Sequence, residues 1–239
     1  MIETLRSEKH LVDQAYDVIL DALCDGTLKS GERITQEDIA ARLNVSRQPV
    51  THALAVLKSQ GFLISSGRRG LTVAPVEMKF FAEIYQMRSV LEPLAVRLGC
   101  SRLSTSAIVK GRSIVEHGRN MMIAGDARAS LQADVDFHSF IYELSGNALI
   151  GESLKLHWKH LRRAMGEVLR YPGMSISVWQ EHGRIIEAMA RGDGDAAADM
   201  MCKHIVSAAE RIGFEANPAP GIEAESGEPG RIRKPSDRS

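Results

Sequence analysis

From residue 78 to residue 214 the chain repeats one pattern: a stretch of helix length with one apolar face, then a short break. Phe81, Ile84, Met87, Leu91, Leu94, Ala95 and Leu98 make the first stripe, at the spacing that lines up side chains on one side of a helix. Further helices are expected near 105–124, 126–145, 147–171, 175–191 and 195–213. The breaks are Gly125-Asp126, Ser145-Gly146-Asn147, Pro172-Gly173 and Gly192-Asp193-Gly194. Connections this short make neighbouring helices run antiparallel, so residues 77–214 are expected to form an all-α antiparallel bundle. The chain has no glycine-rich phosphate loop and no nucleophile elbow.

Residues 1–76 read differently. Leu11, Ala15, Val18, Ile19, Ala22 and Leu23 predict a helix over 10–25, closed by Gly26. Gly31 to Ile34 is a connector that can add an edge strand. Thr35 to Asp38 resembles a capping box and opens a short helix with Ile39, Ala40 and Leu43 on one face. After the turn at Asn44-Val45, Ser46 is placed to cap a third helix, about 47–60, with Pro49 in its first turn. Val50, Ala53, Leu54 and Leu57 of that helix should face a core, which leaves Arg47, Gln48, Thr51, His52 and Lys58 outside. Residues 62–65 and 71–74 read as two short strands around the basic turn Ser66 to Gly70. Three helices and a basic-tipped hairpin are the layout of a winged helix-turn-helix, whose second helix of the motif enters the major groove. The mainly α fold class is therefore a winged helix-turn-helix over 1–76 followed by the bundle. Residues 215–239, rich in proline and poor in large apolar residues, are expected to be a disordered tail.

Charge supports a nucleic-acid partner only when its distribution is considered. Lys plus Arg and Asp plus Glu are both 30, a formal net charge of zero, which argues against a tail-driven nucleic-acid binder. Yet residues 39–76 carry Arg42, Arg47, Lys58, Arg68 and Arg69 and no acid at all. That stretch coincides with the helix-turn-helix and wing, and a locally positive surface is what a phosphate backbone meets. A small interaction domain with an incidental basic face is the competing interpretation. Nothing approaches the roughly 20 apolar residues of a membrane helix, and Met1 to His10 has no apolar signal core. Cys24, Cys100 and Cys202 are scattered and odd in number, which fits a reducing, cytoplasmic setting without membrane partners.

Chemistry in the bundle rests on a few polar residues. Asp134 and His138 are one helical turn apart, while Asp136 points elsewhere. His182 and His204 lie on two further helices. One carboxylate and three imidazoles converging in a bundle can hold a divalent ion such as Zn2+, Ni2+ or Mn2+. Spacing alone equally allows core or surface histidines. His157 and His160 form a similar pair, read more simply as part of a solvated basic face with Lys155, Lys159, Arg162 and Arg163. Arg88 falls inside an apolar stripe and needs a partner: either an effector carboxylate or a structural acid such as Glu92. Asn147 is placed to cap a helix or to line a pocket.

Leu43-Asn-Val-Ser-Arg-Gln-Pro-Val-Thr-His-Ala-Leu54, then Gly61-Phe-Leu and Arg69-Gly-Leu-Thr-Val73, resemble the GntR superfamily of bacterial regulators across residues 10–76. Members commonly read Ser-Arg-Thr-Pro-Val-Arg-Glu-Ala-Leu along this helix; here Thr51 replaces the second arginine and His52 the glutamate. The resemblance implies DNA contacts from Arg42, Ser46, Arg47, Gln48, Thr51, His52, Arg68, Arg69 and Gly70. Arg88-Ser-Val-Leu-Glu-Pro-Leu-Ala95, Asp134-Val-Asp-Phe-His138, Ser145-Gly-Asn147, Glu181-His182 and Ala190-Arg-Gly-Asp193 leading to His204 resemble the FCD effector domain of the FadR branch. In many FCD domains the matching Asp and three His hold a metal that binds a small carboxylate effector. The resemblance thus implies a homodimeric, cytoplasmic repressor of double-stranded operator DNA, with metal on Asp134, His138, His182 and His204 and an organic acid near Arg88 and Asn147. The complete ligand set argues against a fatty-acyl-CoA effector. A metal-dependent hydrolase or lyase fused to a DNA-binding domain, and a sensor of the metal itself, are the alternatives.

Overall fold

The computed structural model describes residues 9–67, 70–168 and 176–211. Its N-terminal unit comprises α1 (Lys9–Cys24), β1 (Arg33–Ile34), α2 (Gln36–Leu43), α3 (Arg47–Ser59), β2 (Leu63–Ser66) and β3 (Gly70–Val73). Thr35 caps α2: its Oγ1 accepts from the Asp38 amide at 3.2 Å and donates to Asp38 Oδ2 at 2.8 Å. Asn44 turns the chain out of α2 with φ 52°, a left-handed conformation that asparagine tolerates. Ser46 occupies the N-cap of α3 in extended conformation but makes no side-chain cap bond, contrary to the sequence expectation. An N-cap oxygen bonds the amide two or three residues on; the third residue here is Pro49, which has no N–H.

The wing is three-stranded, in the order β1-β3-β2 and antiparallel throughout. Arg33 lies opposite Thr72, and Leu63 opposite Val73. The connector before α2 therefore does supply an edge strand. Ile19, Leu23, Val50, Leu54, Leu57, Phe62 and Val73 form this unit's core. The expected inward face of α3 is the observed one, and Gly61, at φ 83°, reverses the chain after it.

The bundle contains α4 (Met78–Cys100), α5 (Thr105–Ile123), α6 (Ala127–Ser145), α7 (Ala148–Val168), α8 (Ile176–Ala190) and α9 (Gly194–Arg211). Helix α4 is central and packs chiefly on α9 and α6, while α5 spans α6 and α8. One contact sets the α5–α8 approach. A Cβ on Gly118 would stand 1.9 Å from the Trp179 ring, so only glycine lets that indole lie against α5. The expected break at Pro172-Gly173, the last residues of the seventh and ninth helices as read from sequence, and the 215–239 tail lie outside the described residues.

Helix α7 has two apolar or buried faces, and here the sequence expectation fails. Leu154, Trp158, Leu161 and Met165 face the bundle core. Leu156 packs on the winged-helix core, and His160 and Arg163 are 7% and 3% exposed. The basic run around His157 and His160 is thus largely an interface between the two units. A charge pattern on one helix does not reveal that a second unit covers it.

Candidate functional site

Four helices bring the bundle's buried polar side chains to one place. Asp134 and His138 come from α6, His182 from α8 and His204 from α9. All four are buried, and Arg88 and Glu92 of α4 are buried beside them. His182 Nε2 and His204 Nε2 are 3.1 Å apart. Asp134 Oδ1 is 3.6 Å from His182 Nε2 and 4.0 Å from His138 Nε2. The three imidazoles each offer a ligating nitrogen within 4.8 Å of the others. Asp136 is exposed and takes a hydrogen bond from Gln132, so it plays no part here.

In His138 and His204 the second ring nitrogen shows which atom is free to ligate. Glu92 Oε2 lies 2.6 Å from His138 Nδ1. The alignment is poor for a hydrogen bond, but two lone pairs would resist so close an approach, so Nδ1 carries the proton and Nε2 keeps its lone pair. Glu181 Oε2 accepts from His204 Nδ1 at 2.7 Å in the same way. Phe137 stacks on His182 at 3.9 Å, and Trp179 meets its edge at 5.1 Å. Burial, reinforced by the neighbouring His204 and His138, holds His182 well below the usual imidazole range. Burial also lowers His204, against the pull of Glu181. Both shifts favour the neutral imidazole, the state that binds a metal.

The donor set fits a divalent ion. With bonds of about 2.0–2.1 Å, tetrahedral ligands stand about 3.3 Å apart, and the separations above bracket that value. Carboxylates behind ligating imidazoles are the arrangement that fixes ring orientation and raises basicity. The buried histidine cluster could hold a metal.

Arg88 has Glu92 as its partner, the structural acid of its two sequence readings. Its Nε donates to Glu92 Oε1 at 2.6 Å, while Nη2 lies 3.3 Å from His138 Nε2, at the edge of the histidine cluster. Its guanidinium carbon sits 4.2 Å over the Trp158 ring. Burial opposes the Glu92 charge, but Arg88 and His138 overcome it and keep the carboxyl well below the usual range. Tyr142 donates to Glu92 at 2.8 Å and accepts from Trp158 Nε1 at 2.9 Å. Asn147 Oδ1 accepts from the Leu149 amide in the first turn of α7, and Asn147 lines a groove of about 660 Å³ between α6 and α7. Glu181, Tyr142 and Trp158 were not assigned roles from sequence. They lie on three helices, and only the packing shows that they serve one centre.

On the N-terminal unit, Arg42, Ser46, Arg47, Gln48 and His52 are exposed along α2, the turn and α3. Arg47 Nη1 pairs with Glu37 Oε1 at 2.9 Å. Thr51 is half-buried, its hydroxyl 3.0 Å from Gln36 Oε1 and 2.8 Å from the Arg47 carbonyl. Gly70 is buried at the tip end of the hairpin, where it pairs with Ser66 of β2. A Cβ there would meet Ser66 O at 2.7 Å and Arg33 Nε at 2.8 Å. Its role is to let the Arg33 side chain lie across β3, which adds an exposed base that the sequence reading left out. Arg68 and Arg69 lie outside the described residues.

Comparison with known proteins gives the same two-part division. The family described as "Bacterial regulatory proteins, gntR family" matches residues 11–73, and the FCD domain matches residues 83–207. The chain is 29% identical over 178 residues to the Nta operon transcriptional regulator of Aminobacter aminovorans, covering 74% of this chain and 82% of that protein. It is 22% identical over 202 residues to the HTH-type transcriptional repressor RspR of Escherichia coli K12, covering 83% and 87%. The solved structure of E. coli McbR/YncC superposes with a TM-score of 0.75 at 20% identity over 89% of this chain and 98% of that one, a likeness of fold. These relatives are regulators rather than enzymes, so the hydrolase or lyase alternative is set aside. The winged helix-turn-helix, the bundle and both family matches together make this chain a GntR-family transcriptional regulator with a C-terminal FCD domain.

Proposed function

We propose that this regulator is a repressor whose hold on double-stranded operator DNA is set by a small organic acid bound at a metal centre in the bundle. The convergence of Asp134 Oδ1 with the Nε2 atoms of His138, His182 and His204 carries this reading. These four residues would hold Zn2+, Ni2+ or Mn2+. The ion supplies a Lewis-acid position for a carboxylate oxygen. Arg88 stands beside it with Nη2 toward the cluster, ready to take a carboxylate in a charge-assisted hydrogen bond. Asn147 would contribute from the adjoining groove.

On the DNA side, Arg42, Ser46, Arg47, Gln48, Thr51 and His52 would meet the major groove, with Arg68, Arg69 and Gly70 supplying a second contact. Operator phosphates would displace Glu37 from Arg47. The chain would act as a homodimer, because helix-turn-helix proteins pair two half-sites across a two-fold axis. Effector binding would shift the placement of the two DNA-binding units.

The test uses a duplex selected by the protein from a random pool. Operator affinity is measured for metal-stripped and Zn2+-loaded protein against a panel of small organic acids. At least one acid should change affinity several-fold in the Zn2+-loaded wild type and none should do so in His138→Ala. An identical response in that variant would contradict the reading. Affinity that follows Zn2+ but responds to no acid in the Zn2+-loaded protein would favour a metal sensor instead.

A further inference from the structure

The recognition helix ends against the sensing bundle. Gln60 caps the C-terminus of α3, and its carbonyl is 2.9 Å from His160 Nε2. A carbonyl can only accept, so that nitrogen is the donor. The His160 ring stacks on Phe62 with centroids 4.0 Å apart and planes 5° from parallel. Phe80, in the first turn of α4, meets the same ring edge-on at 5.0 Å. Arg163 Nη2 donates to the Ala74 carbonyl, at the exit from β3. Tyr16 of α1 donates to Gln60 Oε1 at 2.6 Å and accepts from Lys159 Nζ at 3.0 Å. The end of the DNA-reading helix is thus held from three sides, and α7 supplies most of the contacts.

Two residues before His160, the same helix enters the histidine centre. Trp158 lies under the Arg88 guanidinium and donates to Tyr142, which donates to Glu92, which stands against His138. Any change that moves Arg88 or Glu92 must displace the Trp158 ring or the helix that carries it, because the interior is close-packed. One turn of α7 therefore touches both the candidate metal centre and the end of α3.

We propose that His160 and Arg163 are positioning residues for operator binding: through them α7 fixes the winged helix on the bundle, and through Trp158 it makes that placement answer to occupancy of the histidine centre. The proposal rests on the function proposed above, and it adds the route by which the two ends communicate.

The experiment uses the full chain and Zn2+ as the probe. Operator affinity and hydrogen exchange of the segment around Gln60 to Leu63 are measured with and without Zn2+. Wild type should change operator affinity several-fold and change exchange in that segment. His160→Ala should bind Zn2+ within about twofold of wild type, yet its affinity ratio with and without Zn2+ should fall close to one. His160→Gln, which keeps a donor toward Gln60 but loses the stack, serves where the alanine variant does not fold, and should also lose most of the ratio. A full wild-type ratio in either folded variant overturns the coupling route alone. A wild type indifferent to Zn2+ in both readouts overturns the coupling alone; the function proposed above fails separately, when no acid changes the affinity of the Zn2+-loaded protein. Loss of Zn2+ binding in the folded variants would show that they act on the site itself, which also overturns a positioning role.

Discussion

Glu92 does two jobs with one buried carboxylate. It orients the His138 ring and anchors Arg88, both at 2.6 Å. Glu92→Gln keeps the shape and removes the charge, so zinc affinity should fall about 10–100-fold, the usual cost of losing such a partner, as read by competition with a chelating dye. Unchanged affinity would mean the ring orients itself. At the other end of the molecule, Arg47→Ala should abolish specific operator binding while leaving the dimer intact by gel filtration; undiminished affinity would refute the docking assigned to α3. The four candidate ligands were picked out in the sequence by the resemblance to FCD domains; spacing alone left His157 and His160 an equal pair. Glu92's part was only half legible. Spacing within α4 offers it as a partner for Arg88, but nothing along the chain says that α6 delivers His138 and Tyr142 to the same carboxylate.

At the level of elements, the helix boundaries followed from apolar periodicity and glycine breaks, with Gly146 closing α6 at φ 68°. What periodicity could not give is which helix leans on which. Gly118 shows the consequence. Its missing Cβ admits Trp179, whose edge supports His182. Gly118→Ala should therefore destabilise the protein by about 1–3 kcal/mol through overpacking, seen in denaturant unfolding. It should also weaken zinc binding, although residue 118 touches no ligand. Helix α7 was misread as a solvated basic face for the same reason. His160 and Arg163 look like surface residues until the winged helix is laid over them.

The whole molecule is two cores joined by a polar and aromatic seam, and the seam should respond to pH. Burial lowers His160 to about 4, with the Gln60 carbonyl pulling the other way and Arg163 and His157 adding to the fall. Released from the interface, the ring returns toward the ordinary 6.5. The undocked state therefore binds the proton more tightly, and docking is favoured above about pH 6.5 and weakens as pH falls toward 4. Thermal unfolding should show a larger loss between pH 7 and pH 5 for wild type than for His160→Phe, which keeps the stack and cannot titrate. Equal losses would remove His160 from the account. Chain-wide charge balance revealed none of this, because the +5 stretch over 39–76 is offset by the acidic residues before it. On the function proposed above, the bundle holds one metal ion among Asp134, His138, His182 and His204. Anomalous diffraction at the zinc edge, from crystals of protein loaded with one equivalent of Zn2+, would locate that ion. A single strong peak is expected within bonding distance of the three Nε2 atoms and Asp134 Oδ1; a peak elsewhere, or none, would rule out a metal centre there.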